Sequence, residues 1–560
     1  MNAQFDAIVI GSGITGGWAA KELTEKGLKV LMVERGKLIE HQTGYTKETV
    51  PPWELTFRGY GDPELYRKDY AVQSTLGAFN EWTQDHFVND RENPYQTTAE
   101  NPFIWHRGYQ LGGRSLTWGR QCYRWSDIDF GANAADGHGV DWPIRYKDVA
   151  AWYDHVESFI GVSGSKENLI QLPDGQFQPP MAMNAVEAHV KSAIEAAYPG
   201  RKMIIGRTAN LTEEKPGRAP CQYRGICARG CSYGAYFSTQ SSTLPAARQT
   251  GNLTLLTDSL VDRIDYDAAT GRATGVRIID TKTRKRVVHT AKIIFLCAGA
   301  VNSVSVLLRS ASESFPRGLG NKSDVLGRYF MDHAMAMAVM AKIPGFDDHT
   351  YFGVRPNGII IPRFMNVFSK DPELLRGYSY QGMAYRSGWP RGGAEAGIGK
   401  DFKASLRRPG DWHFLLATFA ECIPRAENRI TLDPAHLDPF GIQQTRIEFT
   451  YGENERKLLE HALTEAKAML SLAKAEIIAA TADPGPGGTA IHEMGGARMG
   501  WDPGSSVLNG FNQVHDVRNL FVTDGAAMGS SACQNPSLTY MALTARACDT
   551  AVSQLKAGIL

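Results

Sequence analysis

Two groups of residues have types and spacings that could do chemistry. The first is the opening segment Asp6-Ala7-Ile8-Val9-Ile10-Gly11-Ser12-Gly13-Ile14-Thr15-Gly16, an apolar strand running into Gly-x-Gly-x-x-Gly. A helical stretch from Trp18 to Lys26 follows, then a second apolar strand that ends at Glu34, 18 residues past Gly16. Strand, glycines, helix and acid together form the fingerprint of a dinucleotide site. Gly11 allows the tight turn, Gly13 lets a pyrophosphate approach the backbone, and Gly16 packs helix on strand. The helix N-terminus offers N–H donors to phosphate, and Glu34 can accept from ribose hydroxyls. The second group is Cys221, Cys227 and Cys231, three thiols within eleven residues and interrupted by glycines. Zinc normally takes four ligands, and no His or fourth Cys lies nearby. A disulfide would leave one thiol over. A three-iron cluster held by three cysteines fits the count better, although full iron–sulfur sites otherwise take four. Zinc and plain structural or redox thiols stay open as alternatives.

These residues need a scaffold, and the hydrophobic pattern supplies one. Residues 45–105 are rich in Pro, Trp, Tyr and charge, and read as long surface excursions. An amphipathic helix is expected over Met183–Tyr198. Short strands are expected at Thr254–Thr257, Ala273–Ile279 and Lys292–Leu296, the last running into Cys297-Ala298-Gly299-Ala300. A strand that ends in Ala-Gly and opens a helix suits close approach to a cofactor. Further strands are expected at Trp412–Phe419, Asn428–Leu432, Gln443–Thr450 and Asn519–Thr523. One long helix is expected from Glu453 to Ala480, broken by Pro484-Gly485-Pro486-Gly487-Gly488, and another from Ser537 onward.

Composition bounds the rest. The chain has 560 residues, enough for several domains or for one enzyme of two interleaved halves. Lys and Arg number 60 against 59 Asp and Glu, a balance that gives no support to nucleic-acid or anionic-membrane binding through a bulk basic surface. The N-terminus lacks a basic region and a long apolar run, so no secretory signal is expected in this chain. The longest uncharged apolar stretch, Ile293–Leu308, reads as strand–turn–helix and not as a membrane span.

The C-terminal region carries the most specific pattern. It reads His492-Glu493-Met494-Gly495-Gly496-Ala497-Arg498-Met499-Gly500, then Asn519-Leu520-Phe521-Val522-Thr523-Asp524-Gly525, then Gln534-Asn535-Pro536-Ser537-Leu538-Thr539. With the N-terminal fingerprint and Leu111-Gly112-Gly113-Arg114-Ser115-Leu116-Thr117-Trp118-Gly119, this resembles the glucose–methanol–choline (GMC) oxidoreductases over nearly the whole chain. The departure is Gly496-Ala497, where the family usually has Thr. The resemblance implies an α/β protein, α+β overall: a Rossmann-type FAD-binding domain interleaved with a substrate domain built on an antiparallel sheet. The expected division gives residues 1–44, 101–135, 215–335 and 487–560 to the FAD domain, with a cysteine insertion near 219–236. Residues 45–100, 136–214 and 336–486 go to the substrate domain.

The resemblance also implies roles. His492 and Asn535, 43 residues apart, should converge on the flavin. An alcohol losing hydride needs a base for its proton, and imidazole suits that role near neutral pH. Asp524 and Gly525 should meet the pyrophosphate or ribitol, with Gly112, Gly113 and Ser115 near the isoalloxazine, and Ala298, Gly299 and Pro536 beside the cofactor. Some relatives attach the flavin through a His in the Gly-Gly segment; Thr117 stands there here, so non-covalent FAD is expected. The cysteine segment resembles that of dehydrogenases that pass electrons to cytochrome c. The expected reaction is oxidation of a secondary hydroxyl of a sugar or glycoside, with C3 of hexosides favoured. Electrons would leave through a [3Fe-4S] cluster to a cytochrome c or quinone partner, and a small subunit would supply the export signal to the periplasm. The alternatives are an O₂-using oxidase, a dehydrogenase acting at C1, C2 or C5, a cofactor-bound subunit without turnover, and a cytoplasmic location. The aromatics Trp53, Tyr60, Trp82, Trp105 and Trp118 suit stacking on a sugar ring or burial in a core.

Overall fold

The computed structural model describes residues 4–560. The reading of Met1–Ala3 therefore lies outside the described residues, and the first strand is Phe5–Ile10. Its last four residues are buried, as expected of an apolar run in a parallel sheet covered on both faces. Val30–Val33 lies on one side of it and Arg286–Leu296 on the other, both parallel, with Ile8 opposite Leu31 and Ile294. Leu253–Leu256 and Val517–Val522 extend the sheet at its two sides, again in parallel. Both neighbours of the first strand follow it in sequence, so the connections leave in opposite directions from its C-terminal end. That reversal opens a crevice there, the place where such sheets bind ligands.

A second sheet is antiparallel and six-stranded. Its order is Glu476–Ala480, Ala334–Lys342, Trp412–Ala420, Tyr378–Arg386, Ile359–Ile361 and Ile204–Ile205. The mixed α/β architecture, with these two large sheets and two small ones, agrees with the fold expected from the sequence. So does the uncharged stretch at 293–308, which is the end of strand Arg286–Leu296 followed by helix Ala300–Arg309. Among the described residues no helix is long and apolar enough to cross a membrane.

One element differs from expectation. The helix that begins at Glu453 stops at Leu472, and Glu476–Ala480 is a strand paired with Ala334–Lys342. Lys474 turns the chain with φ of 56°. The β-branched Ile477 and Ile478 then favour an extended edge over more helix. The helices Ala185–Ala197 and Ser537–Lys556 lie where periodicity places them.

Candidate active site

The crevice at the end of strand Phe5–Ile10 is a groove of about 580 Å³. Gly11 turns the chain out of the strand with φ of 94°, and a Cβ there would stand 2.5 Å from the Cys297 carbonyl oxygen. Gly16 is equally constrained: its Cβ would lie 2.0 Å from the Gly11 carbonyl oxygen, so only glycine lets helix Ile14–Glu25 pack on the turn. Gly13 is different. A Cβ there would meet nothing within 4 Å, although the residue lines the groove. The protein leaves that space open, as a phosphate approaching the backbone requires.

Glu34 is buried at the end of Val30–Val33. Its carboxylate accepts from the Ser12 amide (3.2 Å), the Ser12 hydroxyl and the Gly36 amide (2.8 Å). Burial raises its pKa against those bonds. Asp524 is held similarly by the Gly299 and Ala526 amides, 2.9 Å each, and by the Ser303 hydroxyl, and burial lifts it to about 6. Gly11, Gly13, Glu34, Gly113, Ser115, Ala298, Gly299, Asp524, Gly525, Asn535 and Pro536 all line the groove, together with His492. Gly16 and Gly112 do not: Gly16 sits under the turn, and Gly112 packs against Gln240 while its N–H donates to Ser12 Oγ at 2.9 Å. Trp105 and Trp118 line the groove, whereas Trp53 and Tyr60 face solvent and Trp82 carries the Arg229 guanidinium 3.9 Å above its ring. A groove with an open glycine and a carboxylate at the end of the second strand fits FAD.

His492 and Asn535 meet in this groove, with Asn535 Nδ2 3.0 Å from His492 Nε2. Partners fix the ring protons. His333 Nε2 lies 3.0 Å from the Ala532 carbonyl, which can only accept, so that nitrogen carries the hydrogen. Burial lowers the His333 pKa to about 4, so the ring is neutral and its Nδ1 is a bare acceptor. His492 Nδ1, 2.8 Å away, must then be the donor. His492 is itself held well below 6.5, by burial first and then by the nearby His333 and Arg114. Its Nε2 is left unprotonated, with its lone pair accepting from Asn535 Nδ2. Gln381 Nε2 donates to Asn535 Oδ1 at 2.5 Å, which turns the Asn535 amide nitrogen toward His492.

The backbone around the pair is strained in a way that serves it. Ile491 has φ of 63° and Ala532 has φ of 52°. Left-handed geometry is unfavourable for a β-branched residue and persists only when its surroundings impose it. Asp332 imposes it here: its carboxylate accepts from the His492, His333 and Gly488 amides at 2.9–3.0 Å. Burial, with Glu493 nearby, raises Asp332 to about 7. Glu493 forms a bidentate pair with Arg114, at 2.6 and 3.0 Å, on the groove wall. His333, Asp332 and Gln381 were not candidates from the sequence. The Asp332-His333 dipeptide was the one signal for the first two, and it lies 159 residues before His492.

The three cysteines lie apart from the groove, around one small cavity shared with Tyr223, Arg224 and Tyr236. None is in a disulfide. The Tyr223 amide donates to Cys221 Sγ at 3.5 Å, and Arg224 reaches Cys231 Sγ at 3.8 Å. Burial raises the Cys221 pKa. Among the described residues no three His, Cys, Asp or Glu side chains are gathered as ligands of a single metal ion.

Comparison with known proteins gives the same picture. Family models of the GMC oxidoreductases match residues 5–335 and 424–544. The chain is 26% identical to 2-methyl-1,2-propanediol dehydrogenase of Mycolicibacterium austroafricanum, covering 98% of this chain and 95% of that one. It is 25% identical to the fructose dehydrogenase large subunit of Gluconobacter japonicus, covering 99% and 98%. The gluconate 2-dehydrogenase flavoprotein of Pantoea cypripedii is also 25% identical, over 97% and 92%. The crystal structure of pyridoxine 4-oxidase from Mesorbium loti shares the fold, with a TM-score of 0.61 at 16% identity over 99% of both chains. The chain belongs to the GMC oxidoreductase family and is an FAD-dependent oxidoreductase of alcohol or sugar CH–OH groups.

Proposed function

We propose that the protein is a dehydrogenase of a secondary hydroxyl of a sugar or glycoside, with His492 as the base. The observation that carries this reading is the unprotonated Nε2 of a half-buried, neutral His492, which accepts from the Asn535 amide. Bound FAD supplies the hydride acceptor. The chain supplies the rest. His492 Nε2 takes the hydroxyl proton, and the Asn535 N–H holds the oxygen while the carbon is presented to the cofactor. The His492 Nδ1–H bond to His333 keeps the ring in the required tautomer as charge develops on it.

C3 of a hexoside is the favoured carbon, on the resemblance of the Gly-Gly-Arg-Ser segment and of the chain as a whole. Cys221, Cys227 and Cys231 would hold a [3Fe-4S] cluster and supply a one-electron exit to a cytochrome c or quinone partner. The spacing of the three thiols, which line one small cavity, and the resemblance of their segment are what this reading rests on. Similarity to a protein named as a large subunit supports a companion subunit, which would carry the export signal to the periplasm. Anaerobic mixing of the holoprotein with a panel of sugars, with and without an artificial acceptor, tests the reading. Flavin bleaching by glycosides supports it, and fast reoxidation by O₂ alone points to an oxidase. Carbon-13 NMR of one product identifies the carbon.

A further inference from the structure

We propose that Gln121 reads a second hydroxyl of the substrate, so that the enzyme selects a polyhydroxylated substrate over a simple or cationic alcohol. This rests on the sugar-dehydrogenase reading above and goes on to the residue that enforces it.

The charge of the groove comes first. Three carboxylates line it, and each is already engaged: Glu34 by Ser12 and Gly36, Glu493 by Arg114, and Asp524 by Gly299, Ser303 and Ala526. A cationic alcohol would find no free counter-charge among the described residues. Two carboxamides in the groove keep an unengaged polar atom. Gln121 lines the same groove as His492 and is half-buried. Its Oε1 accepts from the Tyr123 hydroxyl at 2.7 Å, and Tyr123 is fully buried, so the amide has a fixed orientation. The Gln121 backbone is tied by a bridge to Thr208. Its Nε2 has two N–H donors and no partner among the described residues. Gln381 presents the complement: its Nε2 is spent on Asn535, and its Oε1 is left as an acceptor.

The two amides stand at different positions along the antiparallel sheet. Gln121 Oε1 packs 3.2 Å from where a Gly206 Cβ would be, at the edge of the antiparallel sheet. Gly206 pairs with Gly358, and strand Ile359–Ile361 pairs in turn with the strand that carries Gln381. Two strand spacings, roughly 10 Å, separate those backbones. A preset donor and a preset acceptor at separate points of one groove suit a ring bearing several hydroxyls, with one of them held at His492 and Asn535. A site built to hydrogen-bond a hydroxyl rejects the analogue that lacks it, because its polar group is left unpaired.

The experiment uses FAD-loaded protein, one methyl hexoside that reduces the flavin, and its monodeoxy analogues. Wild type should lose about tenfold or more in kcat/KM with one particular deoxy analogue. Gln121→Leu should lower kcat/KM for the parent sugar by a similar factor and show no further loss with that analogue. Equilibrium binding, read from perturbation of the oxidised flavin spectrum, should show the same collapse of the ratio. The flavin midpoint potential should not move. Deoxy ratios that are the same in Gln121→Leu and wild type would overturn the inference and leave the sugar reading standing. Failure of every sugar to reduce wild-type flavin would overturn both.

Discussion

His333 and His492 stand with their Nδ1 atoms 2.8 Å apart, and the Ala532 carbonyl on the far side of His333 decides which of the two carries the shared proton. The base is thus prepared by a hydrogen-bond chain before any substrate arrives. Burial keeps both rings neutral. Replacing His333 with Phe should remove the acceptor for His492 Nδ1–H and slow flavin reduction. It should also remove a neighbour that depresses the His492 pKa. In wild type the rate should stay level as pH falls through 6.5 and decline only toward the His333 value of about 4. In His333→Phe the acid limb should move up toward 6.5. Superimposable pH profiles would show that His333 does not set the state of His492.

Gly13 and Gly16 separate cofactor binding from folding. Gly13→Ala adds a methyl group that meets no protein atom, at a φ of −62° that alanine tolerates. The apoprotein should melt within a few degrees of wild type, yet FAD affinity should fall at least tenfold. Gly16→Ala forces a Cβ to 2.0 Å from the Gly11 carbonyl oxygen and should destabilise the apoprotein itself, by about 1–3 kcal/mol as overpacking does. Thermal melts of both apoproteins, alongside FAD titration, check the pair.

Glu34→Ala should weaken FAD retention, since it removes the carboxylate at the end of the second strand and frees Ser12 and Gly36. Thr117 offers no attachment point, so mild acid should release all the flavin into the supernatant. Flavin that stays with the precipitate would reveal a covalent link.

If the cysteine cavity is the electron exit, Cys227→Ser should leave substrate-dependent flavin reduction intact and abolish cytochrome c reduction. Oxidised wild type should contain three irons per chain and show an electron paramagnetic resonance signal near g about 2.0, as three-iron clusters do by family resemblance. Stoichiometric zinc without iron in anaerobically purified protein would contradict it.

The sequence made the parallel sheet legible, because the Gly11–Gly16 fingerprint and its flanking strands are local and periodic. It also made the His492–Asn535 pair legible, through motifs whose order the chain preserves. The hidden part is long-range. His333 lies 159 residues from His492, near which the Met331–Met494 bridge brings it, and Gln381, on strand Tyr378–Arg386, lies 154 from Asn535. Ile491 and Ala532 give no sign in sequence of left-handed backbone, since neither is Gly, Asn or Asp. Helix propensity also misled beyond Leu472, where edge pairing with Ala334–Lys342 outweighs it.

The central claim is that the unprotonated Nε2 of His492 takes the substrate proton, and anaerobic stopped-flow of FAD-loaded His492→Ala tests it most directly. The variant should bind FAD with an unchanged visible spectrum, and its flavin reduction by a substrate sugar should be slower by about 10²–10⁴-fold. Asn535→Ala should be slowed less, because it loses a hydrogen bond and keeps the proton acceptor. A His492→Ala enzyme that reduces its flavin at the wild-type rate would contradict the account.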